Sequence, residues 1–303
     1  MVYHTYIIII VVTTIAAGIY STVYAGPSAK QIQRNLSDSS LDQTTLWLYY
    51  DQSDVHSRWW ADFGARSSRA IHTPYLNLCY QSIAVYLGNT YNIRVIAGLS
   101  DLAILLGGWD MLPRALQNPI APVGVAELIY IRAAVLEKFG GLWVSPSTIF
   151  LQSLPDYTRS SKVILFGNNK EDMYRCGTQV MFSPRPHHPL FVHWASMAYN
   201  RIELNQGGKQ FSNYDIEDLV EEFSQDIQYI EDAELSRKSS GKRIEIEDLL
   251  SSGGYIDSDG YVYVPIDRKE LELRSAYGWF LRMSETQILQ SDLVISELFR
   301  KIN

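Results

Sequence analysis

A chain of 303 residues is longer than one small core requires and leaves room for one large α/β unit or roughly two domains. With 47% hydrophobic, 12% aromatic and 19% charged residues, the composition excludes an intrinsically disordered chain and a small disulfide scaffold. The 26 basic and 33 acidic side chains leave a net charge of −7, and there is no Lys/Arg run. Nucleic acid is therefore not an expected partner.

The N-terminus carries a membrane signal. No Asp, Glu, Lys or Arg occurs from Val2 to Ala29, and Tyr6 to Ala25 supplies about the 20 apolar residues that a helix needs to span hydrocarbon. The expectation is a single-pass anchor over residues 1–27. A cleaved signal peptide is the alternative, because Val23-Tyr24-Ala25 ends in a small residue, although no Lys or Arg precedes the apolar run. Lys30 and Arg34 after the span place the main domain in the cytosol by the positive-inside rule. The sequon Asn35-Leu36-Ser37 would matter only for the lumenal orientation, so orientation stays open. Residues 28–45 are polar and read as a linker to a domain over 46–303.

In that domain Leu46-Trp47-Leu48-Tyr49-Tyr50 reads as a buried first strand entering the polar loop Asp51-Gln52-Ser53-Asp54. Thr73-Pro74 supplies an N-cap and an N1 proline for a helix whose apolar residues Leu76, Cys79, Ile83 and Leu87 repeat at helical spacing until Gly88. A strand follows at Tyr91 to Ile96. Ala126 to Phe139 is apolar around nearly its whole circumference and closes on Gly140-Gly141, which predicts a buried helix. Leu142-Trp143-Val144 predicts a central strand, interrupted by Ser145-Pro146-Ser147 and resumed at Thr148 to Leu151. Lys162 to Phe166 and Thr178 to Phe182 are further strands, and Leu190 to Leu204 a helix. The charged stretch Glu231 to Ser252 predicts an exposed helix and loops, Tyr255 to Val264 a hairpin, and Thr286 to Ile302 a helix that packs back on the domain. Strands alternating with helices make the fold class α/β.

The order of these elements resembles the capsular polysaccharide synthesis family and the related sugar transferases of glycosyltransferase family thirty-two. The resemblance is carried by residues 46–52, by Tyr91 to Ile96, and above all by the segment from Ile131-Arg132 through Gly140-Gly141-Leu142-Trp143-Val144, and it covers roughly Leu46 to Arg201. It implies a GT-A-like, Rossmann-type domain behind an N-terminal transmembrane helix. It further implies a hexosyltransferase-type enzyme that moves sugar from a nucleoside-diphosphate-sugar donor to a glycan or polysaccharide acceptor. The donor then lies at the carboxyl ends of the strands, with Tyr50, Asp51, Gln52 and Arg132 contacting it and Ser145 and Ser147 at its diphosphate. No catalytic base is identified.

The resemblance also implies Mg or Mn, because the family motif after Gly-Gly and the short strand is Asp-x-Asp or a reduced Asp-Ala-Thr. Here Ser145-Pro146-Ser147 stands at those positions, and Ile129 stands where the family has an acid three residues before the arginine. Glu127 substitutes for that acid only if the helix is re-registered. No metal-ligand residue is named. Three readings follow: a metal-independent transferase, an inactive nucleotide-sugar or glycan-binding module that retains the fold, and a metal held by another carboxylate.

Several other residues have simpler readings. Asp257-Ser258-Asp259 precedes Gly260 between tyrosines and fits a hairpin turn. His187, His188 and His193 lack the i,i+4 spacing of a helical metal pair and read as surface or capping residues. Tyr49 and Tyr50 at a strand end suit a core as well as a stacked base. Cys79 and Cys176 lie too far apart for a CxxC motif or zinc cluster.

Overall fold

Consecutive apolar residues suit a strand covered on both faces, and Leu46 to Tyr49 are all buried within strand β1 (Thr45–Tyr50). This computed structural model describes residues 44–51, 73–118, 123–166, 179–204, 214–230, 238, 244–254, 256, 263–266, 271 and 276–302. The expected anchor over 1–27, nearly all of the linker, Gln52, Cys176 and Asp257-Ser258-Asp259 lie outside those residues. Among the described residues no helix is long and apolar enough to cross a membrane.

Helix α1 (Tyr75–Leu87) leads to β2 (Asn92–Ala97) and then α2 (Leu99–Leu106). After two 3-10 turns comes α3 (Val125–Phe139), followed by β3 (Gly141–Val144), β4 (Thr148–Phe150), β5 (Val163–Phe166) and β6 (Val180–Ser183). Helices α4 (Pro189–Glu203) and α5 (Tyr214–Glu222) precede β7 (Ile227–Ile230). The remainder is α6 (Ile246–Leu249), β8 (Tyr263–Pro265), α7 (Glu285–Gln290) and α8 (Val294–Ile302).

Six strands form one mixed sheet in the order β2-β1-β3-β6-β5-β7, and β4 pairs with β8 in a second sheet. Strand β1 is parallel to both β2 and β3, whereas β6 runs antiparallel to β3 and β5, and β5 is parallel to β7. The chain is thus an α/β protein with a mixed sheet, consistent with a Rossmann-like fold. Side chains alternate across β1: Trp47 and Tyr49 enter a core with α2, α3 and α4, while Leu46 and Leu48 enter one with Ile83 and Leu87 of α1. A third cluster joins Tyr75 and Cys79 of α1 to Phe280, Ile295, Leu298 and Phe299 near the C-terminus.

Four expectations need correction. Helix α1 has Pro74 at its N-cap with no side-chain cap, and the Thr73 hydroxyl is buried without a partner instead of capping. The segment after Ser147 resumes in the second sheet, where Thr148 to Phe150 pairs with Pro265 to Tyr263. The C-terminal helix breaks at Ser291: Arg300 donates to the carbonyls of Leu289 and Ser291 at 2.7 and 2.9 Å, and Ser291 Oγ lies 2.7 Å from Ser296 Oγ. Side chains thereby satisfy the carbonyls left free at the break. Finally, Ile244, Ile246, Leu249 and Leu250, within a stretch expected to be exposed, are buried. Its charges masked a short apolar period.

Candidate functional site

A parallel strand that passes into a helix leaves free backbone groups and loop side chains at its carboxyl end, which is where α/β folds bind ligands. Here β1 lies between β2 and β3; β1 and β2 end together at Tyr50 and Ala97, and β3 ends at Val144, two residues short of Tyr50 in the shared register. Asp51, directly after β1, accepts a long hydrogen bond from the Val123 N–H, at 3.4 Å to Oδ2, two residues before α3 begins. The N-terminus of α3 therefore stands beside the end of β1. Beyond β2, Gly98 adopts φ +88°, a conformation that favours glycine. Asp101 in the first turn of α2 accepts from the Ala97 N–H at 3.0 Å, while burial raises its carboxyl above the ordinary range.

Strand β3 ends on the hydroxyl pair. The Ser145 N–H donates to the Gln179 carbonyl at 2.7 Å, continuing the ladder one residue beyond the strand. The Ser147 carbonyl accepts from the Ile266 N–H at 2.8 Å, in line with the second sheet. Between them Pro146 has no N–H to leave unpaired as the chain changes sheets. Ser145 Oγ and Ser147 Oγ lie 3.4 Å apart, and both residues are half-buried. The pair thus lies at the carboxyl end of an interior strand, half-buried, with the two hydroxyls near each other.

Arg132 is the strongest electrostatic feature. Its residue is 5% exposed, and the guanidinium carbon sits 5.7 Å from the Trp143 ring centroid. Among the described residues no carboxylate pairs with it, and both Arg132 Nε and Trp143 Nε1 are buried without a hydrogen-bond partner. Burial pushes the guanidinium down to about 9, so it stays cationic at neutral pH at a cost in desolvation. In a helix the Cα–Cβ bond tilts toward the N-terminus. The Arg132 Cα–Cβ bond therefore leans toward the end of α3 that stands beside Asp51.

The expected site residues divide between the two faces of the sheet. Tyr49, Trp143 and Arg132 share the α3 face, and alternation beyond the strands places Asp51 and Ser145 on that side too. Tyr50 faces the other way. Its hydroxyl is buried without a partner, and burial, then Cys79 and Tyr80 of α1, raise its pKa far above the ordinary phenol value. Tyr49 is 4% exposed and belongs to the core.

The histidines lie at the opposite end of α3. His187 Nδ1 is 2.6 Å from Glu137 Oε1, His188 stands at the N-cap position of α4, buried and without a side-chain cap, and His193 packs edge-on to Phe223. The surface reading thus fails for His188. Sequence reasoning also missed α2 and the Trp143–Arg132 contact. The run Gly98-Leu99-Ser100-Asp101 before apolar residues was the available signal for α2. No local pattern announces the contact.

Among the described residues, those at the family's ligand positions do not fit Mg or Mn. Such cations take oxygen ligands that include carboxylates, yet Ser145 and Ser147 are neutral, and Ile129 is buried in the core. Glu127 lies about 200° around the helix from Ile129, and α3 is continuous through both residues. Among the described residues no three His, Cys, Asp or Glu side chains come together.

No protein-family model matches the chain, and no curated protein is significantly similar to it.

Proposed function

We propose that this chain is a glycosyltransferase with a GT-A-like domain behind an N-terminal membrane anchor, using a nucleoside-diphosphate-sugar donor and a glycan acceptor. The observation that carries the reading is the half-buried Ser145–Ser147 hydroxyl pair, 3.4 Å apart at the carboxyl end of β3. By the resemblance read from the sequence, this is where that family holds its donor diphosphate. The same resemblance covers the order of β1, β2, α3 and β3, with Arg132 on α3. In the reaction an acceptor hydroxyl attacks the anomeric carbon and gives up its proton to solvent, the bond from that carbon to the diphosphate oxygen breaks, and the nucleoside diphosphate leaves with the bonding electron pair. Asp51 and Gln52 contact the donor beyond β1, and the hydroxyl pair with Arg132 supports the leaving diphosphate.

Calorimetric titration of UDP- and GDP-sugars, followed by an assay of donor turnover, tests the proposal. Micromolar binding of one donor with release of its nucleoside diphosphate is expected; no binding of any donor overturns it. The missing carboxylates at 145 and 147 favour a second reading, a binding module that retains the fold. Donor binding without turnover in the presence of glycan acceptors selects that reading.

A further inference from the structure

We infer that the fixed positive charge of this site is the Arg132 guanidinium, and that it holds a phosphate-bearing ligand together with the Ser145 and Ser147 hydroxyls and no divalent cation. The inference rests on reading the site as one for a nucleoside diphosphate, and it identifies what neutralises the ligand's charge.

A buried cation normally has an anion beside it, because desolvation without compensation is costly. Arg132 is 5% exposed and has the Trp143 ring at 5.7 Å. Among the described residues no acid is paired with it, and its Nε makes no hydrogen bond. An aromatic face recovers only part of the lost hydration. Among the described residues none supplies that anion, so the guanidinium is left open to one that a ligand brings. A phosphate meets the requirement, since a guanidinium donates to its oxygens through paired N–H groups.

The other groups at the same end of the sheet suit that ligand and do not suit a metal. Hydroxyls donate directly to phosphate oxygens, but as neutral ligands they do not offset the charge of a hard dication. Ser145 lies two residues beyond Trp143, on the same face by alternation, and its hydroxyl is 3.4 Å from that of Ser147. Asp101 is engaged by the Ala97 N–H, and Glu127 projects away from the Ile129–Arg132 side of α3. Asp51 is engaged by the Val123 N–H, so among the described residues the Arg132 cation and the serine hydroxyls are the groups offered to an anion, with or without a metal.

The test titrates UDP, GDP and inorganic pyrophosphate into the full chain in detergent, in EDTA and again with Mg or Mn. At least one of the three is expected to bind in EDTA within about threefold of its affinity with metal. Arg132→Gln is expected to weaken that binding by about tenfold or more, with Arg132→Lys retaining a larger share. Binding that needs Mg or Mn overturns this inference but leaves the donor-site reading standing. No binding in either buffer overturns both. Unchanged affinity in a folded Arg132→Gln protein also overturns it. Should that variant not fold, Ser145→Ala with Ser147→Ala replaces it, and a loss of about tenfold in EDTA is expected; unchanged affinity there overturns the inference.

Discussion

The indole N–H of Trp47 in β1 donates to the carbonyl of Gly140, 2.9 Å away, at the turn between α3 and β3. This bond ties the helix stop to the neighbouring strand. Gly140 and Gly141 have φ of +64° and +92°, a Cβ on Gly141 would meet the Thr45 carbonyl oxygen, and one on Gly140 would lie 2.8 Å from the Arg185 carbonyl carbon. The turn is close-packed on both sides. Gly141→Ala is expected to destabilise the protein by about 2–4 kcal/mol, combining a left-handed backbone with a backbone clash. Trp47→Phe, which removes the bond but keeps an aromatic ring, should cost about 1 kcal/mol. Urea denaturation monitored by circular dichroism measures both.

Adding acid at the hydroxyl pair tests its location. Ser145→Asp with Ser147→Asp should make nucleotide binding depend on Mn, since two carboxylates both repel a diphosphate and supply hard ligands. In EDTA the double variant should bind UDP at least about tenfold more weakly than the unmodified chain, with Mn restoring the affinity. Calorimetry in the two buffers reads the difference. A double variant indifferent to Mn would place the pair away from the diphosphate.

His188 makes stability depend on pH. Burial, reinforced by the Arg185 charge and opposed by Asp226, holds its imidazole below the ordinary 6.5. The folded chain therefore takes up this proton less readily than the unfolded chain. The contribution to stability is fully present above about 6.5 and is lost as the pH falls from there through the folded value. Denaturation midpoints at about pH 7.5 and about pH 5.5 should differ by less in His188→Leu than in the unmodified chain, with other titrating groups common to both.

Helix α8 anchors the third core cluster through Phe299, which is 1% exposed. Phe299→Ala should cost about 3–5 kcal/mol, because the ring packs in a cluster that also contains Tyr75 and Cys79 of α1. A thermal scan should show the lowered midpoint.

The main sheet was readable wherever the core imposes uninterrupted apolar runs. Leu46 to Tyr49 and Leu142 to Val144 lie between two packed layers, and the glycine stop after Phe139 marks the turn between α3 and β3. The C-terminal break was not readable, because Leu289, Leu293, Leu298 and Ile302 keep near-helical spacing through Ser291. Backbone bonds from the Val294 N–H to the Ser251 carbonyl and from the Gly253 N–H to the Asp292 carbonyl, each 3.1 Å, tie the break to a distant segment that no local pattern announces. Within the site, the hydroxyl pair was visible as an interruption of a strand. Tyr50 was visible too, but its direction depends on strand alternation and on α1 packing behind it, so adjacency to Asp51 in sequence became opposition in space. Arg132 stood out as a charge in an apolar helix, whereas its ring partner Trp143 is set by the packing of α3 on β3.

The bond from Ile266 to the Ser147 carbonyl has a consequence for biosynthesis. Strand β4 begins one residue after Ser147, and its partner β8 lies more than a hundred residues downstream. During translation, β1 to β3 can associate well before β8 leaves the ribosome, but the serine loop cannot acquire its far support until then. Ligand affinity is thus expected to be acquired late in synthesis, after much of the larger sheet is in place. A nascent chain stalled before residue 263 would carry the hydroxyl pair with its second sheet still unformed.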